Sequence, residues 1–217
     1  MPTPTAATFD MHLHTTRHSP DGEMNPFALA RKAKQLGLTG IVITEHDWLW
    51  TNEELDELRA ATPQIQIYGG IEVSAAEGHF LVYGIHDPHR LPKSIPVVEL
   101  CTEVHRQRGA VVAAHPYRWG QDFDEIVYDQ KADLDGLEIM SLNMDEPARV
   151  KAATVQKDKK WAGLGNSDAH KLEDVGYCYT AFPSPIRDVA DLVEALRSGN
   201  GQARKKLDLK LLVEMDE

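Results

Sequence analysis

Cysteine is almost missing from this chain: two residues in 217, Cys101 and Cys178, with no CxxC spacing. That scarcity excludes a disulfide framework and a thiolate zinc site, and both residues, set in apolar segments, read as buried thiols. No apolar run approaches the roughly 20 residues that a membrane span needs. The stretch Met1 to Asp10 has neither a basic nor a leucine-rich segment, so no signal peptide is expected and the chain reads as cytoplasmic, with no membrane partner. Positive charge is not in surplus either. Lys and Arg number 23 against 34 Asp and Glu, a net charge of −11 with the ten histidines neutral, which speaks against a broad grip on long nucleic acid. Small phosphorylated substrates stay open, because cations bound among the acids would cancel part of the charge and draw anions in. Internal repeats and low-complexity segments are absent, and Ser167 has no nucleophile elbow around it.

What is present is a rhythm. Short β-branched apolar runs alternate with amphipathic stretches over a length suited to one domain, residues 1–217. Thr8 to His14, Thr39 to Thr44, Ile65 to Val73, His79 to Ile85, Ala110 to Ala114, Leu134 to Met140, Trp161 to Asn166 and Tyr177 to Phe182 read as strands. Helices are expected from Pro26, capped by Asn25 and stopped by Gly37, and over Asn52 to Ala60, Ile95 to Gln107, Glu146 to Lys160 and Ile186 to Arg197. Alternation of this kind implies an α/β fold with a mostly parallel sheet. About seven βα units without a linker suggest a closed or distorted barrel.

Metal-capable side chains fall where these strands end. The first run leads through Asp10 to His12 and His14, which share a face if the chain stays extended. The second meets Glu45-His46-Asp47, the third holds Glu72, and His79 opens the fourth. Ala114 gives way to His115-Pro116, Leu137 precedes Glu138, and the seventh runs into Asp168-Ala169-His170. Each motif has an ordinary reading by itself: a chance HxH on a surface strand, a helix cap, a packed turn. Their recurrence at successive strand ends points to one shared pocket, at the C-terminal face where parallel barrels place their sites. Mixed nitrogen and oxygen ligands suit manganese, zinc or iron, and a carboxylate such as Glu72 can bridge two cations.

The segments Asp10-Met11-His12-Leu13-His14-Thr15, Ser19-Pro20-Asp21-Gly22, Ile43-Thr44-Glu45-His46-Asp47, Gly70-Ile71-Glu72, Ala114-His115-Pro116 and Ser167-Asp168-Ala169-His170 resemble the PHP (polymerase and histidinol phosphatase) family, in the family's order. The resemblance implies a distorted (β/α)7 barrel with two or three divalent metal ions, hydrolysing phosphomonoesters or phosphodiesters. It also implies a ligand set: His12, His14, Glu72 and Asp168 for a first metal, Glu72, His79 and His115 for a second, and Asp21, His46 and His170 for a third. His86 is the alternative to His79, and His18 to Asp21. Glu138 is expected to orient a ligand histidine. Small stand-alone family members are the most similar, and the brief Ile85 to Ala110 stretch implies a less enclosed substrate pocket.

Arg17 and Arg118, just after ligand motifs, are candidates for binding a substrate phosphate bidentately, and His18 for protonating a leaving group. Trp48, Trp50, Tyr117 and Trp119 either stack on a base or ring, as in a nucleotide or short nucleic acid, or pack in the core or rim. The expected chemistry is attack by a metal-bridging hydroxide on the phosphorus of a small phosphorylated substrate. The alternatives are an amidohydrolase-like enzyme acting on a C–N bond and a catalytically silent metal-binding module.

Overall fold

The protein is described here by a computed structural model covering residues 7–206; the expectations for residues 1–6, and for anything beyond 206, lie outside the described residues. The elements run β1 (Ala7–Asp10), α1 (Pro26–Gln35), β2 (Gly40–His46), α2 (Asn52–Ala61), β3 (Gln66–Ser74), β4 (His79–Tyr83), α3 (Val97–Arg106), β5 (Ala110–Ala113), β6 (Gly136–Met140), α4 (Glu146–Lys159), β7 (Ala162–Gly165), β8 (Cys178–Phe182), α5 (Val189–Arg197) and β9 (Gln202–Lys205). Local chemistry accounts for the helix ends. The Asn25 side chain accepts from the N–H groups of Phe27 and Ala28, Pro26 supplies the first helical φ, and Gly37 turns left-handed (φ 78°) to stop α1. Thr51 and Glu54 form a reciprocal capping box on α2.

The strands close into a barrel in the order β1-β2-β3-β4-β5-β6-β7-β9-β8. Seven of them share one direction, while β4 and β8 run against both neighbours. The expectation of seven parallel strand–helix units therefore holds for the direction of the chain but not for its connections. β3 turns straight back into β4 through a hairpin at residues 75–78, and β8 is the second reversed strand, set between β9 and β1. Alternate strand residues explain the layering. Ile41 and Ile43 of β2 face outward onto α1 and α2, whereas Val42 joins Phe9, Met11, Leu81, Tyr83, Val112, Leu164 and Phe182 in the barrel lumen. A third apolar cluster seals α3 and α4 against β4, β5 and β6.

Strand β1 is shorter than the sequence suggests. Its regular ladder ends at Asp10; the Met11 N–H donates instead to the Asn166 side chain, and beyond it the Thr44 N–H reaches the Leu13 carbonyl while an isolated bridge links Leu13 to Ala169. His12 and His14 thus sit just past the strand, still two apart and on one side. Cys101 and Cys178 are free and buried, and burial pushes each thiol up to about 12. Among the described residues no helix is long and apolar enough to cross a membrane.

Candidate metal centre

The sheet directions bring the ligand candidates to one end of the barrel. β1, β2, β3, β5 and β7 deliver theirs at or beyond their C-terminal ends. β4 runs the other way, so its first residue, His79, pairs with Ser74 at that same end. His86 follows the far end of β4, where its backbone N–H meets Gln107. Of the two histidines left open on this strand, His79 is the one beside Glu72.

Glu72 is the hub. Its Oε1 lies 2.8 Å from His79 Nδ1 and 3.2 Å from His115 Nε2; its Oε2 lies 3.2, 3.1 and 3.0 Å from His12 Nε2, His14 Nε2 and His46 Nδ1. Asp168 Oδ1 closes the buried side at 3.2 Å from His12 Nε2 and 3.4 Å from His14 Nε2. On the open side Asp21 Oδ2 stands 3.2 Å from His46 Nε2 and 3.3 Å from His170 Nε2. All nine residues of the expected ligand set are therefore joined by these contacts. Three sets of ligand atoms are mutually close enough for one ion each: His12, His14, Glu72 and Asp168; His46, Glu72 and His79; and His14, His46 and His170.

The tautomers of the two deepest histidines follow from their neighbours. Glu138, fully buried on β6, lies with Oε1 3.0 Å from His12 Nδ1 and also accepts from the His115 and Asn166 N–H groups. As a carboxylate it can only accept, so in the neutral ring, the form that ligates, the His12 proton sits on Nδ1 and Nε2 carries the lone pair. His14 is set by a longer chain. Glu45 accepts from the Thr15 N–H, the Thr15 hydroxyl, the Ser19 hydroxyl and the Trp50 indole. Ser19 has one proton and gives it to Glu45, so it must accept from His14 Nδ1, 3.1 Å away. Again Nε2 is left bare.

These bare atoms test whether a metal fits. His12 Nε2, His14 Nε2 and Glu72 Oε2 are buried with no hydrogen-bond partner, although oxygen and nitrogen approach to little over 3 Å. The atoms are close without the alignment of a hydrogen bond, as ligands converging on a common point would be. Buried polar atoms are seldom left so, and the nitrogen–oxygen set is the one divalent cations take. The residues fit.

In the chain alone, protons stand in for the cations. Burial disfavours the charge on His12, but Asp168, Glu72 and Glu138 outweigh it and hold its pKa well above the usual value. Burial also opposes the charge on Glu72, yet the surrounding histidines keep its carboxyl well below the ordinary range. His46 rises to about 9 because Glu72 and Asp21 overcome its desolvation. Backbone strain collects at the site as well: His115 (φ 31°) and Asp168 (φ 54°) are both left-handed.

The other candidates are placed differently. Arg17 pairs with Glu54 and Glu57, and His18 Nε2 meets Glu54 while its ring stacks on Trp48, so both are held by α2. Arg118 carries no ion pair among the described residues and lines a cavity of about 390 Å³ with His79 and His115. Trp50 and Tyr117 are buried, whereas Trp48 and Trp119 are exposed. Several supporting residues were given no role by the sequence: Ser19 and Glu45; Asp10, which holds Ser167 and Gly176; and Asn143, which donates to Asp168. Asp10 and Glu45 had a visible signal, each an acid in an apolar strand beside a ligand motif. Asn143 had none.

A family model described as the PHP domain matches residues 10–170. The chain belongs to the PHP domain family. A second model, described as PHP-associated, matches residues 147–200. No curated protein matches the sequence. Among solved structures, this PHP chain is similar to a two-domain protein from Bacteroides vulgatus, described as containing a predicted PHP-like metal-dependent phosphoesterase (TM-score 0.72, 22% identity, 94% of this chain and 66% of that one). It thus spans slightly less than two thirds of that relative. It is also similar to PsfC from Pseudomonas syringae (TM-score 0.69, 17% identity, 97% of each chain) and to an amidohydrolase from Chromobacterium violaceum with bound sulfate and no metal (TM-score 0.65, 17% identity, 93% of this chain and 99% of that one). At these identities the likeness establishes the fold, a PHP-type distorted barrel.

Proposed function

We propose that this PHP chain is a metal-dependent phosphoesterase, hydrolysing phosphomonoesters or phosphodiesters of small molecules or nucleotides. One observation carries the reading: Glu72 turns its two oxygens to two different histidine groups, which is how a bridging carboxylate must stand. His12, His14, Glu72 and Asp168 would hold one cation, Glu72, His79 and His115 a second, and Asp21, His46 and His170 a third; His46 also borders Glu72, so the second and third sets adjoin. Two or three divalent ions of manganese, zinc or iron there would supply Lewis acidity and acidify water near neutral pH.

The chain's own residues have separate tasks. Glu138 and Ser19 orient two imidazoles, and Asn143 orients Asp168. Arg118, paired with no carboxylate among the described residues, is assigned to a phosphoryl oxygen, a role for which a non-titrating planar cation is suited. A second reading, hydrolysis of a C–N bond, is favoured only by the amidohydrolase among the similar structures.

Purified protein would be assayed on p-nitrophenyl phosphate and its bis ester with Mn²⁺, Zn²⁺ or EDTA, beside His12→Ala and Glu72→Ala. Metal-dependent turnover lost in both variants is the expected result. Bound metal with no ester turnover under any condition, accompanied by cleavage of amide substrates, would overturn the phosphoester assignment.

A further inference from the structure

Trp119 is 86% exposed, the most exposed large apolar side chain among the described residues. A single exposed apolar side chain is ordinary by itself; what sets this one apart is its fixed place at the rim of a cavity beside the metal-ligand candidates. It is held in place rather than left loose. Tyr117, two residues earlier, is buried and donates its hydroxyl to Asp124. Two residues later the Gln121 amide donates to the Glu77 carbonyl in the β3–β4 turn. The contact is close: a Cβ on Gly78 would lie 2.7 Å from the Gln121 amide nitrogen. Between these anchors Tyr117 and Trp119 are both left-handed, at φ 65° and 56°, a conformation that bulky residues avoid. The result pushes Arg118 and Trp119 out over the cavity that His79 and His115 line.

Arg118 covers one face of the indole, its Cζ 4.0 Å from the ring. Stacking uses the flat of the guanidinium and leaves its N–H donors free in the plane. The other aromatic and arginine candidates differ: Trp48 is half-exposed, but its ring is stacked on His18, and Arg17 is spent on glutamates. The cavity volume of about 390 Å³ lies in the range that takes a small ligand.

We infer that Trp119 and Arg118 form a subsite for phosphate esters bearing a planar ring, the ring on the indole and an anionic oxygen on the guanidinium. This rests on the phosphoesterase reading and names its substrate class. Adenosine 5′-monophosphate and ribose 5-phosphate make a matched pair, sharing the sugar, the phosphate and a primary 5-oxygen as the departing atom, and differing in the planar base.

Binding of both would be followed by calorimetry with EDTA present, and kcat/KM for both with Mn²⁺, in the wild type, Trp119→Ala and Trp119→Phe. The nucleotide should bind about tenfold more tightly, with Trp119→Ala closing the gap and Trp119→Phe keeping much of it. Equal affinities, or a gap that survives Trp119→Ala, would overturn the subsite. Equal kcat/KM with both hydrolysed would overturn the subsite and leave the phosphoesterase standing. A Trp119-dependent binding gap with neither ester hydrolysed would keep the subsite and remove the phosphoesterase reading.

Discussion

The candidate metal centre has two unequal halves. The side chains of His12, His14, Glu72 and Asp168 are at most 3% exposed, whereas those of His46 and His170 are 23% and 27% exposed and that of Asp21 is 55% exposed. The inner half is braced from outside, by Glu138 on His12, Ser19 and Glu45 on His14, and Asn143 on Asp168. The outer half has little support: His170 Nδ1 leans on the Asp168 carbonyl, and Asp21 sits in an exposed loop. Bracing of this kind fixes geometry before an ion arrives, at the cost of burying charge that must then be matched. The inner half should therefore bind first and tightest, and the outer half should be the part that exchanges with solvent.

The largest effect tests the hub. Glu72→Ala removes the carboxylate on which five of the histidines converge and leaves Asp168 and Glu138 as the buried counter-charges. Metal content measured by plasma emission should fall by more than one ion per chain, and the metal-free protein should lose about 3–5 kcal/mol of stability in urea unfolding, as breaking a buried charge pair does. Retained stoichiometry would mean that the two halves do not share a ligand.

Next comes the bracing. In Ser19→Ala, His14 Nδ1 loses its acceptor, and the Glu45 carboxylate loses one of its donors. Metal affinity should drop about 10–100-fold, the usual effect of removing an orienting partner. The ¹⁵N shifts of His14 in the metal-free protein, read at a pH high enough for the ring to be neutral, should show Nδ1–H giving way to a tautomer mixture. An unchanged shift would remove Ser19 from the account of the inner half. A smaller effect is expected outside. Asp21→Ala should cost one ion, with stability changed by less than about 0.5 kcal/mol because the side chain is exposed; loss of all the ions would contradict the division.

How much of this was legible in the sequence follows the same division. His12, His14, Glu72 and Asp168 announce themselves because ligand residues must cluster at strand ends, and strand ends are readable from apolar runs. The barrel was legible for the same reason. The reversal of β4 had a signal too, the turn-like Glu77-Gly78 in a link too short for a parallel crossover, although the expectation of parallel units passed over it; it is this reversal that puts His79 at the mouth and His86 at the far end. The short β1 was hidden, because Asn166, distant in sequence, takes the N–H that a neighbouring strand would have taken. Glu45 and Ser19 act through hydrogen bonds whose partners only the fold brings together.

Acidity separates metal-free from metal-loaded protein, and the sign can be worked out at His46. Its pKa is raised from the ordinary 6.5 to about 9, burial being outweighed by Glu72 and Asp21. A group whose folded pKa is raised stabilises fully below its unfolded value, and that contribution is lost as pH climbs through the folded one. The melting temperature in EDTA should therefore fall between about pH 6.5 and about pH 9. Asp10, raised to about 6 chiefly by burial, titrates below this window and does not offset the trend. With Mn²⁺ saturating, the ion replaces the proton and the slope should flatten or reverse, since imidazoles must be neutral to ligate. Calorimetry in buffers of different ionisation enthalpy should count a proton released on metal uptake at pH 7 and fewer above pH 9. A metal-free melting temperature that rises across the window would show that the carboxylates do not hold these histidines charged, and would remove the electrostatic ground for treating the two halves as one coupled centre.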